Sequence, residues 1–306
     1  MGDDEARPFI ERHYGARAGA MTPLTGGEWS QAYALTLDGR DVVVRFGAHG
    51  EDYAKDRRMA GHCSDLLPIP AVLEMGEGPG GSFVVSERAY GDFLEELDAD
   101  GMHNVLPRLL DALGAARHID LSSTNGYGGW GAAGSAPHAS WRDALLDITR
   151  PRERLRGWRE ALETSQTGAG PFDTAAAVLP TLVEQCPEAR QVIHNDLLHR
   201  NVLVQGGEIS AMLDWGNSMY GDGVYDLALL VYWWPWFPRW DSIDIASIIA
   251  GHLEAAGERL PDLDDRLRCY QVHIGLDAQA YNAFTGRWDE LAINARRTLA
   301  LIEGRR

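Results

Sequence analysis

A predicted β-hairpin in the second half of the sequence constrains the fold of this chain more than any other feature. Its two apolar runs, residues 202–204 and 209–213, are separated by a turn that contains a glycine pair. Asn201 precedes the first run and Asp214 follows the second. Because an antiparallel hairpin returns the chain to where it began, we expect the Asn201 and Asp214 side chains to lie close together.

These two side chains have the chemistry of a magnesium site. One carboxylate and one amide oxygen, completed by water and phosphate oxygens, form a ligand set suited to Mg²⁺. Asp196 lies five residues before Asn201, on the loop that enters the hairpin, where it can face a substrate hydroxyl group. The spacing His-x-Asp-x-x-x-x-Asn, followed by a hairpin and Asp, is the pattern of the protein-kinase catalytic loop. The sequence therefore predicts phosphoryl transfer from ATP with Mg²⁺.

The segment before residue 91 predicts a small lobe that is rich in β-strands. The predicted strands are residues 34–37, 41–46, 71–76 and 82–88. A segment of helical composition covers residues 51–62, and mostly helical sequence follows over residues 92–187. This order of elements predicts a bilobal α+β fold, and the resemblance to the protein-kinase catalytic loop implies that it is protein-kinase-like. Its nucleotide-binding lobe would be residues 1–90, and its larger, mainly helical catalytic and substrate-binding lobe would be residues 91–306.

The charge balance indicates what kind of partner the chain attracts. Acidic residues outnumber basic residues by 45 to 28, which gives a formal net charge of −17. Such a charge repels nucleic acids and anionic membranes and attracts polycations, although it also serves solubility. We expect a polycationic small-molecule substrate, with no nucleic-acid partner and no membrane partner.

The sequence gives no sign of export or of membrane insertion. The first 14 residues are acidic and contain no apolar stretch. The longest apolar run, residues 227–237, is interrupted by Pro235 and is shorter than the roughly 20 residues that cross a bilayer, so we expect it in the core. The three cysteines are far apart and form no CxxC pair. We expect a cytoplasmic monomer without a disulfide framework.

Two rival chemistries can be weighed on the same residues. His194, Asp196 and His199 could begin a hydrolytic metal site, but no further ligands follow in a metal-binding spacing. Residues 216–221 resemble a serine nucleophile elbow but contain one residue too many for Gly-x-Ser-x-Gly. His194 is better interpreted as a residue that hydrogen-bonds the loop. Phosphoryl transfer remains the favoured chemistry.

The motifs at residues 194–203 and 213–228 resemble those of the aminoglycoside phosphotransferases. Other landmarks resemble, within that family, the members that act on hygromycin B. They are the Leu-Pro-Ile-Pro run at 67–70, Ser-Trp-Arg-Asp at 140–143, Cys-Pro-Glu at 186–188, Trp-Pro-Trp at 234–236 and Ile-Gly-Leu-Asp at 274–277. Together they span most of the chain after residue 24.

The resemblance implies a role for each residue of the hairpin motif. Asp196 would accept or orient the proton of the attacking hydroxyl group. Asn201 and Asp214 would hold Mg²⁺ against the ATP phosphates. Asp222 and Asp226 would tie the loop to the following helix. Asn195 stands where these enzymes commonly have glycine, which is a departure from the family pattern.

The resemblance also implies a nucleotide site and a substrate site. The nucleotide contacts would be Gly26, Gly27 and Ser30 over the phosphates, Arg45 as phosphate clamp, Asp56 as its helix partner, and Ser86, Glu87, Arg88 and Ala89 at the adenine. Arg45 departs from the usual lysine but can still bind phosphate oxygens bidentately. Asp56 is preferred over Glu51 as its partner. Asp196, Trp236 and Asp277 would contact the antibiotic.

Two alternatives remain open from the sequence. A kinase of another hydroxylated metabolite, such as choline, a macrolide or an amino-acid hydroxyl, would keep Asp196, Asn201 and Asp214 and change only the pocket. A non-catalytic nucleotide-binding protein would need a defect in metal binding or phosphate positioning. Arg45 is the only residue that suggests such a defect.

Overall fold

Alternating buried and exposed residues build a five-stranded antiparallel sheet near the N-terminus. The computed structural model describes residues 3–24 and 29–304. Its first strands are β1 (Thr22–Pro23), β2 (Ser30–Leu37), β3 (Arg40–Gly47), β4 (Val72–Gly78) and β5 (Gly81–Glu87). They are arranged in the order β1-β2-β3-β5-β4. In β3, Val42, Val44 and Phe46 alternate into the core. The four predicted strands are confirmed, each within a few residues of its expected limits.

The described part of the first 119 residues also contains three α-helices. They are α1 (Asp3–Tyr14), α2 (Gly50–Ala60) and α3 (Ala99–Arg117). α1 places Ala6, Ile10 and Tyr14 in the same buried cluster as the sheet residues. The sequence analysis predicted α2 but not α1. The side chain of Asp98 caps α3 by accepting the N–H of Gly101 at 2.8 Å.

The predicted hairpin forms part of a second, smaller sheet. The remaining strands are β6 (Asp92–Phe93), β7 (Gly128–Gly129), β8 (Gln191–Ile193), β9 (Val202–Gln205), β10 (Glu208–Met212) and β11 (Met219–Gly221). β9 pairs with β10 and with β6, and β11 pairs with β7 and with β8. The hairpin prediction is therefore confirmed.

Helices make up most of the rest of the chain. They are α4 (Trp141–Leu146), α5 (Trp158–Thr164), α6 (Gly170–Leu182), α7 (Val224–Trp233), α8 (Ile245–Ala255), α9 (Leu263–Thr285) and α10 (Trp288–Ile302). α9 is the centre of this group and packs against α5, α6, α7 and α10. The apolar run that the sequence analysis assigned to the core forms α7, which is mostly buried, and a following turn whose Trp236 and Phe237 are partly exposed.

Packing divides the chain into two units. The first contains residues up to Ile119 together with Gly131–Gly134 and Leu198–Ser218, and the second contains Asp120–Trp130, Ser135–Leu197 and the chain from Met219 onward. The first unit thus includes α3 and the β9–β10 hairpin, both of which follow residue 90. The lobe boundary was predicted where strand-rich sequence gives way to helical sequence near residue 91, and it stays a prediction.

The helices in the described part of the chain contain no candidate for a membrane span. Among residues 3–24 and 29–304, no helix combines the length and the apolar character that crossing a bilayer requires.

Candidate functional site

The open end of the β9–β10 hairpin brings Asn201 and Asp214 together along the backbone. Val202 pairs with Met212, and the N–H of Leu213 donates to the Asn201 carbonyl at 2.7 Å. Asn201 is buried, whereas the Asp214 side chain keeps 44% of its surface exposed. Asp214 has φ +56°, in the left-handed region that few residues other than glycine adopt. The backbone pairing therefore places Asn201 and Asp214 next to each other at the open end of the hairpin.

Arg45 on β3 lies beside two carboxylates of the first unit. Its guanidinium donates to the Asp56 carboxylate and lies 3.9 Å from Oδ1 of Asp214. Burial lowers the pKa of Arg45, but the charges of Asp56 and Asp214 outweigh it, so the pKa rises above its ordinary value. The guanidinium also lies over the ring of Tyr53, 5.3 Å from its centroid. Arg45 is thus a permanent positive charge next to Asp214.

Asp56 is the helix partner of Arg45, in agreement with the choice made over Glu51. Its second oxygen, Oδ1, accepts the backbone N–H of Trp215 at 2.8 Å. Glu51 instead accepts the backbone N–H of Ala132 at 3.2 Å. One carboxylate therefore connects the arginine of β3 to the residue that follows Asp214.

Lys55, the neighbour of Asp56 on α2, binds the same segment of chain. Its Nζ donates to the carbonyl of Gly216 at 2.7 Å and to that of Ser218 at 3.1 Å. Both contacts are buried. The sequence analysis missed this residue, because a single lysine in a helix matches no motif. The signal that could have found it is that the chain contains no other lysine.

The loop that carries Asp196 belongs to the second unit and is held by Asp226 of α7. The Asp226 carboxylate accepts the backbone N–H groups of His194 at 2.8 Å and of Asn195 at 2.9 Å. His194 is fully buried, and its Nδ1 accepts the backbone N–H of Asp196 at 3.3 Å. This agrees with the expected structural role of His194. Asp196 itself is partly exposed.

Asp222 anchors the segment before α7. Its carboxylate forms a two-pronged ion pair with Arg266 of α9, with contacts of 2.8 Å and 2.7 Å, and accepts the Tyr270 hydroxyl at 2.6 Å. All three residues lie in the interior of the second unit. Asp226 therefore ties the loop to α7 as expected, whereas the contacts of Asp222 with Arg266 and Tyr270 anchor its segment to α9.

The predicted phosphate-covering residues are only partly described. Gly26 and Gly27 lie outside the described residues. Ser30 begins β2 and pairs with Gly47 of β3. A Cβ at Gly47 would lie 2.8 Å from both the Trp29 carbonyl and the Tyr53 hydroxyl, so glycine is needed for this close approach.

The predicted adenine contacts lie at the end of β5 and just after it. They are Ser86, Glu87, Arg88 and Ala89. The N–H of Glu87 donates to the Ala71 carbonyl at 2.9 Å, and the N–H of Arg88 donates to the Asp41 carbonyl at 3.1 Å. The N–H groups of Glu87 and Arg88 are therefore already engaged within the sheet region.

Two of the three residues proposed for the antibiotic, Asp277 and Trp236, have partners of their own in the second unit. Asp277 forms an ion pair with Arg152 and keeps 49% of its side chain exposed. Trp236 stacks on Tyr232, with ring centroids 5.9 Å apart, and lies under the Arg297 guanidinium. Sequence reasoning did not identify Arg152, which lies outside the recognised motifs.

The rival chemistries find no support in this geometry. Within the part of the chain that the structure describes, no three His, Cys, Asp or Glu side chains are grouped as a metal centre. Ser218 is fully buried, and its hydroxyl donates to the Trp215 carbonyl at 2.5 Å, so it is not placed as a nucleophile.

Comparison with known proteins adds an independent line of information. The model of the phosphotransferase enzyme family matches residues 20–270. Hygromycin-B 4-O-kinase of Escherichia coli is 32% identical over 274 residues, which are 89% of this chain and 77% of that protein.

Solved structures give the same picture. A thermostable mutant of aminoglycoside phosphotransferase APH(4)-Ia, in a ternary complex with AMP-PNP and hygromycin B, superposes with a TM-score of 0.83 at 30% identity, over 97% of each chain. A mutant of aminoglycoside 2'-phosphotransferase IIIa bound to GDP superposes with a TM-score of 0.67 at 14% identity, over 98% of this chain and 97% of that one. The second likeness concerns the fold alone.

Proposed function

Because the chain belongs to the phosphotransferase enzyme family, we propose that it transfers the γ-phosphoryl group of ATP to a hydroxyl group of an aminoglycoside antibiotic. Hygromycin B is the first candidate, since a relative at 32% identity is a hygromycin-B 4-O-kinase. A similar solved structure holds hygromycin B together with AMP-PNP, an ATP analogue. The reaction would inactivate the antibiotic.

The observation that carries this proposal is the group formed by Arg45, Asp56 and Asp214. A kinase needs a fixed positive charge for the phosphates beside an acidic metal ligand. Arg45 supplies the charge, is oriented by Asp56 and lies 3.9 Å from Asp214. The arginine thus has the helix partner that the usual lysine would have. This argues against the non-catalytic alternative, which relied on Arg45 alone.

Asn201 and Asp214 are the residues proposed to hold Mg²⁺. They fit this ion because they offer hard oxygen ligands from the two ends of one hairpin, closed by the bond between Leu213 and Asn201. When bound, Mg²⁺ would neutralise charge on the nucleotide phosphates. The partial exposure of Asp214 leaves its carboxylate accessible.

Asp196 is proposed to accept or orient the proton of the attacking hydroxyl group. Backbone N–H groups of its loop donate hydrogen bonds to Asp226 and His194, and these bonds hold the backbone in place. Loose phosphoryl-transfer transition states need little help from a base, so orientation of the hydroxyl is its main task.

The nucleotide would be covered by Gly26, Gly27 and Ser30 and would meet Ser86, Glu87, Arg88 and Ala89 at its base. Because the N–H groups of Glu87 and Arg88 bind Ala71 and Asp41, we assign the adenine contacts to the other backbone groups of this segment.

The antibiotic would be recognised through negative charge and aromatic surface. Asp196 and Asp277 can pair with ammonium groups, and Trp236 can pack against a sugar ring. The net charge of −17 attracts a polycationic drug. We also propose a monomer that works in the cytoplasm, where ATP is available, without nucleic-acid or membrane partners.

The test is ATP consumption by the purified protein with Mg²⁺ across a panel of acceptors. The panel holds hygromycin B, other aminoglycosides, a macrolide and choline, and the Asp196→Ala variant serves as the inactive control. Turnover with hygromycin B supports the full proposal. Turnover with another member keeps the kinase and changes the substrate, whereas binding of MgATP without any turnover would refute the proposed activity for this panel.

A further inference from the structure

Lys55 occupies an unusual position for a lysine. It is the only lysine in the chain, and only 5% of its surface is exposed. An ammonium group is costly to bury unless hydrogen bonds satisfy it. Here the group donates to the carbonyls of Gly216 and Ser218, at 2.7 Å and 3.1 Å. The Lys55 amino group is therefore both buried and hydrogen-bonded to the backbone.

The segment that Lys55 binds follows directly after Asp214. Residues Trp215–Asn217 form a single 3₁₀ turn, and the Ser218 hydroxyl closes it by donating to the Trp215 carbonyl. Asp56 accepts the N–H at the start of this turn, and Lys55 donates to the carbonyls of Gly216 within it and of Ser218 just after it. Two consecutive residues of α2 thus hold both ends of the turn.

The backbone of this turn also shows that α2 and the segment are closely packed. A Cβ at Gly216 would lie 2.9 Å from Cβ of Asp52 on α2 and 3.2 Å from Oδ1 of Asp214. Asp214 itself has the left-handed conformation, which costs free energy in a residue with a side chain. Such a conformation persists only when its surroundings determine it.

We propose that Lys55 is a positioning residue for metal binding, which acts by fixing the turn that presents the Asp214 carboxylate. The inference rests on the proposed function, because it takes Asp214 as a ligand of Mg²⁺. It adds that α2 contributes to the metal site through a lysine, in addition to the Asp56 contact with Arg45. Residues that orient a metal ligand commonly change metal affinity or activity when they are replaced.

The first experiment compares Lys55→Met with the matched control Arg57→Met, which removes a positive charge from the exposed face of the same helix. Turnover is measured against free Mg²⁺ at saturating ATP and acceptor. We expect the half-saturating Mg²⁺ concentration of Lys55→Met to rise about 10- to 100-fold, with the KM for the acceptor unchanged. Arg57→Met should behave as the wild type, and Lys55→Arg should recover part of the loss.

The second experiment does not depend on turnover. Because the chain has one lysine, protein labelled with ¹³C-lysine gives one Cε signal in a nuclear magnetic resonance spectrum. We expect this signal to shift when Mg²⁺ and a non-hydrolysable ATP analogue are added together. It should stay in place with the analogue and EDTA, and also with the full mixture in the Asp214→Ala variant.

The outcomes separate the inference from the proposed function. A folded Lys55→Met variant with wild-type Mg²⁺ dependence would overturn the inference. A lysine signal that does not shift when Mg²⁺ and nucleotide are added would also overturn it. Thermal denaturation shows whether Lys55→Met is folded, and if it is not, the lysine signal of the wild type decides. A wild type that binds Mg²⁺ and nucleotide but phosphorylates nothing would refute only the function.

Discussion

The Asp226 carboxylate holds Asn195 in a left-handed backbone conformation. Asn195 has φ +65°, and its N–H donates to Asp226 at 2.9 Å. Asparagine tolerates this region better than most residues other than glycine. The departure from the family's usual glycine is therefore accommodated, because the local backbone is one that both residues can adopt.

We predict that Asp226→Ala lowers the free energy of unfolding by about 3 kcal/mol, because the buried N–H of His194 and the partly buried N–H of Asn195 lose their carboxylate acceptor. Turnover should fall with it, since the loop that carries Asp196 loses its anchor. Urea denaturation and initial rates at low temperature measure the two effects. Asn195→Gly is the matched control and should keep both close to wild type; a large loss there would show that the Asn195 side chain, and not the backbone, is required.

Replacing Asp196 should impair turnover alone, whereas replacing Asp214 should also impair binding of the metal and nucleotide. We predict that Asp196→Ala lowers kcat about 100-fold or more while MgATP binding is kept. Asp214→Ala should also weaken binding of the metal and nucleotide, because it removes a proposed ligand. Calorimetric titration with Mg²⁺ and an ATP analogue separates the variants. Near-native turnover of Asp196→Ala would disprove the assigned role.

Arg45→Lys tests whether the guanidinium fork matters in this chain. Lysine keeps the charge but lacks the planar pair of donors that can reach Asp56 and a phosphate together. We predict a rise of about tenfold in the KM for ATP, with a smaller change in kcat. Steady-state kinetics with varied ATP measure this. An unchanged KM would mean that charge alone is enough at this position.

The stability of the second unit should depend on the protonation of His273. Its Nδ1 lies 2.9 Å from the Tyr225 hydroxyl, and burial lowers the pKa of His273 to about 4. Unfolded histidine has a pKa of about 6.5, so the unfolded state binds more protons between these values. The contribution of His273 is therefore complete above about pH 6.5 and is lost as the pH falls to about 4, by about 3 kcal/mol in total.

Denaturation by urea across this pH range measures the effect. Carboxylates titrate in the same range, so the His273→Gln variant provides the comparison. We expect the free energy of unfolding of the wild type to fall more steeply on acidification than that of His273→Gln. Parallel curves would show that the protonation of His273 does not contribute.

Much of the fold follows from local patterns in the sequence. The β9–β10 hairpin was predicted because apolar runs flank a glycine turn, and the sheet strands because residues of high β-propensity lie on either side of glycine-containing turns. Asn201 and Asp214 could be paired from sequence since a hairpin fixes which residues meet. Asp56 was chosen as the partner of Arg45 from the family resemblance, and the two side chains form an ion pair.

Other features depend on contacts between distant parts of the chain and leave no local signal. Lys55 binds carbonyls about 160 residues later, at 216 and 218, and a backbone carbonyl has no sequence signature. The ion pair of Arg152 with Asp277 is similar, because it joins two segments 125 residues apart. Helix α1 was missed because its charged first turn hides the apolar residues Ala6, Ile10 and Tyr14.

The composition of the first unit has a consequence for synthesis on the ribosome. Its last segment, Leu198–Ser218, supplies β9, β10 and the turn that α2 binds. About two thirds of the protein must therefore be translated before this unit can be completed, although its sheet is made early. Until then, α2 exposes the Lys55 and Asp56 groups that later bind the turn. Proteins that fold during translation commonly complete an N-terminal domain first. Here the first unit cannot be completed until Leu198–Ser218, in the second half of the chain, has been synthesised.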